Sequence, residues 1–114
     1  MALVQSFTQN VQFDSTKVKA HVILETTFSK EIRIALVKNQ LMKEHQAPFP
    51  IIIHVLTGSI ILGIAQEKFN MMAGDIITLD ANVPHDLFAQ QDAIVRLSLS
   101  KHDKVERVEQ VVSK

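Results

Sequence analysis

The sequence predicts an all-β domain, one antiparallel sandwich or barrel, followed by a short C-terminal helix. Three observations carry that expectation. Short runs rich in isoleucine and valine recur between turn residues from Val18 to Leu99. No segment in the middle of the chain repeats its apolar residues at helical spacing. Near the C-terminus, by contrast, Val105, Val108 and Val111 or Val112 recur at that spacing among charged neighbours. Many short strands without intervening helices define a sandwich or barrel.

Residues 1–16 mix polar side chains with isolated Phe7 and Phe13 and read as an irregular arm. Val18 to Thr26 extends, with Val18, Ala20, Val22 and Leu24 on one face. Glu31 to Lys38 alternates more strictly, setting Ile32, Ile34 and Leu36 opposite Glu31 and Arg33. Pro50 to Leu56 carries Ile51, Ile52 and Ile53, apolar on both faces, so both should be covered: one by the barrel interior, the other by a second subunit. Ser59 to Ala65 returns after a turn at Thr57-Gly58-Ser59. A polar turn over Gln66 to Asn70, a short strand over Phe69 to Met72 and another over Ile76 to Leu79 follow, the last two joined by Ala73-Gly74-Asp75. Asp80 to Pro84 is loop, and Asp86 to Gln90 and Ile94 to Leu99 are strands. Ser100 is the expected cap of the helix, with Asp103 three positions on, and that helix is expected over one barrel edge. The expected organisation is one domain over 1–114: an arm and strand in 1–30, a barrel core in 31–100 and a helix in 101–114.

Composition narrows the function. The 114 residues suit a single domain, and 46% are hydrophobic, enough for a packed core. Lysine plus arginine and aspartate plus glutamate are 12 each, so there is no net charge to attract nucleic acid or an anionic membrane. Tyrosine and tryptophan are absent, which removes most stacking platforms for bases. Cysteine is absent too, excluding disulfides, thiolate zinc sites and a cysteine nucleophile. That is compatible with a cytoplasmic location, as is a start without the basic and apolar regions of a signal peptide. The stretch from Ala47 to Ala65 lacks Asp, Glu, Lys and Arg and approaches membrane-spanning length. Pro48, Pro50, Gly58 and Gly63 interrupt it, so two buried strands explain it better. Three glycines make neither a phosphate loop nor a dinucleotide fingerprint, and no Gly-x-Ser-x-Gly elbow is present.

The segment Gly74 to His85, GDIITLDANVPH, resembles the second sequence motif of the cupin superfamily. Gly74 and His85 match, and Pro84 precedes the histidine as it often does there. Asp80 stands where proline is usual and Asn82 where glycine is usual, and asparagine tolerates a positive φ. Lys43 to Gly58, KEHQAPFPIIIHVLTG, looks like a degraded first motif. Anchored on Gly58, it puts His45 and Ala47 at the two histidine positions and Ile51 at the glutamate position.

This resemblance implies a jelly-roll barrel, often dimeric, with a pocket at its mouth. Metal-binding cupins present three histidines and a glutamate, of which only His45 and His85 remain. A divalent transition metal there would need help from Gln40, Glu44, His54, Asp80 or Asp86, so no cofactor is expected. The pocket implied is apolar, lined by Met42, Phe49, Ile51, Ile53 and Phe88, with the two imidazoles orienting a carboxylate or carbonyl or acting as acid or base. The expected function is small-molecule binding by a homodimer. The rivals are a metal-dependent cupin enzyme of dioxygenase or isomerase type, and an assembly module with a vestigial pocket. His54, three residues after Ile51, should face away from the pocket, at a subunit contact or under the C-terminal segment. Arg33 and Arg96, each between apolar neighbours, would mark an anion site or ion pair if they faced inward.

Overall fold

The computed structural model describes residues 2–113, which form nine strands and one helix. The strands are β1 (Lys19–Glu25), β2 (Ser29–Leu36), β3 (Leu41–His45), β4 (Ile51–Thr57), β5 (Ser59–Ile64), β6 (Glu67–Met72), β7 (Ile76–Leu79), β8 (His85–Ala89) and β9 (Ala93–Ser100); α1 spans Val105–Val112. They build two antiparallel sheets, one of order β1-β2-β9-β4-β7 and one of order β3-β8-β5-β6. The core lies between them. Ile32, Ile34 and Leu36 from β2, Ile51, Ile53 and Val55 from β4, and Val95, Leu97 and Leu99 from β9 meet Met42, Ile60, Leu62 and Leu87 of the smaller sheet.

The strict period-2 segments fold as their patterns predict, and the departures have local causes. Leu24 does not share a face with Val22. The register of β1 against β2 shifts between them, so Val22 opposes Ile32 while Leu24 opposes Glu31 on the outer face. One extra residue reverses every side chain beyond it. The polar run expected as a turn is largely β6, because Glu67, Lys68 and Asn70 occupy an edge strand whose side chains are exposed. β3 is a strand that sequence pattern does not announce. It is short, mostly polar, and held by pairing with β8.

The helix starts later than expected. Ser100 Oγ accepts from the His102 N–H at 3.2 Å in the preceding turn, and the N-cap is Lys104, with no side-chain cap. Asp103 supplies a substitute, its Oδ1 accepting from the Lys104 N–H at 2.8 Å. α1 packs against β1 and β3, the edge strands of the two sheets, and drives Val108 fully into the core. That burial contributes roughly 1.5–3 kcal/mol. Among the described residues no helix is long and apolar enough to cross a membrane.

Candidate functional site

His45 and His85 are brought together by a backbone irregularity in β3. Met42 opposes Leu87 and faces the core, so strict alternation would send residue 45 outward. A register shift between Met42 and His45 inserts one residue and turns His45 inward, directly opposite His85. The ring centroids lie 4.3 Å apart, tilted by 56°. His85 needs no such device, since it continues the buried row of Leu87 and Ala89 on β8. The loop before it turns through Asn82 at φ 65, the position where the motif resemblance predicts positive φ, and the Asn82 N–H donates to the Ala47 carbonyl at 2.7 Å.

The hydrogen bonds define which nitrogens carry protons. His45 Nδ1 lies 2.8 Å from the Lys43 carbonyl oxygen, and His85 Nδ1 lies 2.9 Å from that of Val83. A carbonyl only accepts, so each Nδ1 carries the hydrogen and each Nε2 of the neutral rings is an acceptor. His85 Nε2 is buried without a hydrogen-bond partner, alone in this among the described residues. Burial depresses the proton affinity of both rings, that of His45 to a pKa of about 4. The neighbouring guanidinium of Arg107 acts in the same direction on both.

Arg107 is a site residue that the sequence reading missed. It forms a double contact with buried Asp103, Nε to Oδ1 at 3.0 Å and Nη2 to Oδ2 at 2.8 Å, and its Nη1 donates to the Gln46 carbonyl at 3.3 Å. The start of α1 is thereby pinned across the loop that follows β3. The Phe49 ring, 6.0 Å from that of His102, belongs to the same cover. An Asp and an Arg four apart at a helix start were the available signal.

The other predicted residues divide. Met42, Ile51 and Ile53 are buried on the inner face. Phe88 is not part of the interior: it alternates with Leu87 and stands between Leu41 and Ile61 on the outer face of the smaller sheet. His54 lies on the outer face of the larger sheet, opposite Arg96, and not under α1. Arg33 and Arg96 also face outward, Arg96 ion-paired with Glu31 at 3.0 Å. Burial alone would raise the Glu31 carboxyl, but hydrogen bonds from Ser98, Ser29 and Arg96 hold it below its ordinary value. His85 is buried and His45 half-buried, and the surface grooves along β1, β2, β4 and α1 are lined by other residues.

The pair does not fit a metal. Two Nε2 lone pairs fall short of the three protein ligands of an open catalytic site. Among the described residues no group of three or more His, Cys, Asp or Glu could hold an ion. Gln40 is committed to the Val37 N–H and the Asp14 carbonyl, and Asp86 lies over Gly63 on the outer face.

Two sheets wrapped in this order, with paired strand ends presenting histidines beneath a loop cover, define a cupin-type barrel. The chain belongs to the AraC-like ligand binding domain family, whose model matches residues 31–99. Solved structures share the fold. A conserved protein of unknown function from Streptococcus pyogenes is 23% identical with a TM-score of 0.75, the alignment covering 91% of each chain. An RmlC-like cupin from Desulfovibrio desulfuricans is 16% identical with a TM-score of 0.79, over 88% of this chain and 97% of its own. A cupin superfamily protein from Desulfitobacterium hafniense is 9% identical with a TM-score of 0.72, over 79% and 83%. None of the curated proteins matches the sequence.

Proposed function

We propose that this domain binds a small neutral molecule bearing hydroxyl or N–H donors, which it reads with the Nε2 atoms of His45 and His85. The observation that carries the proposal is the orphaned Nε2 of His85. An acceptor buried without a donor costs about 1–3 kcal/mol, and a ligand that donates to it recovers that cost. A carboxylate or carbonyl, which only accepts, finds no donor on either ring, because both Nδ1–H groups are held by backbone. A cation meets the field of Arg107. What remains is a hydroxyl-rich or amide-bearing solute, with Met42, Ile51 and Ile53 offering apolar contact below. The loop at Gln46 beside His45 is held to the start of α1 by the Arg107 contact to the Gln46 carbonyl.

Thermal-shift titration against neutral polyols and sugars, with matched carboxylates alongside, tests this. Stabilisation by a neutral hydroxylated compound that disappears in His85→Leu is expected. Stabilisation by carboxylates alone would overturn it, as would a stoichiometric transition metal that is lost in His45→Ala. We propose further that the domain is a homodimer joined through the β4–β7 end of the larger sheet's outer face, where Ile52 and Ile76 are exposed beside His54 and away from β1 and β2. Light scattering that returns a monomer at every concentration would refute that part.

A further inference from the structure

The outer face of the larger sheet carries a row of basic side chains for which the barrel mouth has no use. Directly opposite one another across β1, β2, β9 and β4 stand His21, Arg33, Arg96 and His54. Arg33 and Arg96 are like charges opposed on neighbouring strands and repel, whereas His54 Nδ1 accepts from Arg96 Nε at 3.4 Å. Arg96 is compensated by Glu31 at 3.0 Å and donates to Ser98 Oγ at 2.8 Å. Arg33 is not: the ion pairs among the described residues are Arg96–Glu31 and Arg107–Asp103.

Arg33 instead faces a concave surface. The N-terminal arm passes over β1 and β2 and leaves two adjoining grooves of about 330 and 270 Å³. Lys19, His21 and Arg33 line them from the sheet, and Gln9, Asn10 and Gln12 line them from the arm. No carboxylate lines either groove, in a chain with as many acidic as basic residues. The arm is shaped to present its carboxamides. Ser6 Oγ accepts from the N–H groups of Thr8 and Gln9 at 3.1 and 3.0 Å, and Asn10 then turns the chain at φ 57.

We propose that this groove is an oxyanion site for a small phosphate-bearing solute, with Arg33 as its central contact, His21 directly opposite it on β1 and Lys19 two residues along that strand. The Arg33 guanidinium offers five donors in a planar fork, the Lys19 ammonium three more, and each arm carboxamide two. A tetrahedral phosphate has enough oxygens to engage donors converging from both sheet and arm, whereas a carboxylate has only two. Bound anion would also relieve the repulsion between Arg33 and Arg96.

The test uses the whole chain and inorganic phosphate, with acetate as the two-oxygen comparison and chloride holding ionic strength constant. Calorimetric titration and thermal unfolding should show saturable phosphate binding and no comparable effect of acetate. Arg33→Gln should weaken binding by about tenfold, the loss of one charge-assisted contact. Arg33→Lys, which keeps charge without the fork, should fall between and carries the test if Arg33→Gln fails to fold. His85→Leu should leave phosphate binding intact, which separates this site from the barrel mouth. Glycerol 3-phosphate binding more tightly than the free ion would identify a phosphate ester as the ligand, and the reverse the ion itself; either supports the site. Equal stabilisation by acetate, or undiminished phosphate affinity in Arg33→Gln and Arg33→Lys, would overturn it. So would dissociation of an oligomer by Arg33→Glu with no phosphate effect, since a second copy would then own this surface.

Discussion

Acidification should destabilise the domain before its carboxylates begin to titrate, and the imidazole pair should be the cause. His45 is depressed from 6.5 to about 4, and His85 is lowered in the same direction by burial. Well above pH 6.5 both rings are neutral whether the chain is folded or not, so they place no pH dependence on stability there. As pH falls below that value the unfolded chain takes up protons that the folded chain refuses. Stability therefore declines until the folded rings protonate as well, near pH 4 for His45. A tenfold change in proton affinity is worth about 1.4 kcal/mol, so the displacement of His45 withdraws on the order of 3 kcal/mol across this window. A domain of this size holds roughly 5–15 kcal/mol in all, so the loss is large. Glu31, whose folded value is depressed from 4.5, adds its own loss only at lower pH. Urea denaturation at steps from pH 7.5 to 4.5 measures the effect. A slope approaching about 1.4 kcal/mol per pH unit from His45, with His85 adding in the same direction, is expected in the parent and a nearly flat profile in the double variant His45→Gln/His85→Leu. A parent profile that is flat over this range, or a double variant that keeps the full slope, would show that the rings are not desolvated as described.

Further outcomes follow from particular contacts. His85→Leu removes an unpartnered buried nitrogen at the cost of one hydrogen bond to Val83, so urea midpoints at pH 7.5 should show a change between neutral and about 2 kcal/mol stabilising. A loss above about 2 kcal/mol would mean that the nitrogen is satisfied. Gly58→Ala should cost more than about 3 kcal/mol in the same assay, because the new Cβ collides with the Asp92 carbonyl oxygen at φ 76. Gly74→Ala, with φ 99 but open space around it, should cost only about 1–2 kcal/mol. Glu31→Gln should cost about 1 kcal/mol by leaving Arg96 opposite Arg33 without its carboxylate, and adding Arg33→Gln should restore part of it in a double-mutant cycle.

The strands with strict alternation were legible because a half-buried face leaves a period of two, as in Ile32, Ile34 and Leu36. So was the positive φ at Asn82, since few other residues tolerate that turn. β3 was hidden for the opposite reason. Leu41 and Lys43 to Glu44 are exposed on a short strand, so burial imposes no period on them. The two register shifts were equally invisible: a bulge is an event between strands, and the shift at Val22/Leu24 and that at Met42/His45 leave no residue type as a mark. The second matters most, because His45 as read from its own strand would point to solvent. The motif resemblance selected His45 and His85 as a pair without supplying the geometry that joins them. It also drew Phe88 inward, where simple alternation from His85 already placed it outside.

The incomplete metal-ligand set and the depressed basicity of His45 and His85 have a common cause. At the positions where metal-binding cupins carry a histidine and a glutamate, this chain has Ala47 and Ile51, both buried. A carboxylate there would have raised the proton affinity of nearby imidazoles and, with them, gripped a cation. An alanine and an isoleucine do neither; they leave apolar surroundings in which a charged ring is costly. Arg107, brought over the loop by Asp103, then adds positive charge close to both rings. Each ring is thus kept neutral, with Nδ1 spent on backbone and Nε2 open. Restoring the carboxylate alone, as in Ile51→Glu, would not recreate a metal site so long as Arg107 stays pinned. The new carboxylate would pair with that guanidinium or bury unpaired, and the imidazoles would still lack a third nitrogen beside them.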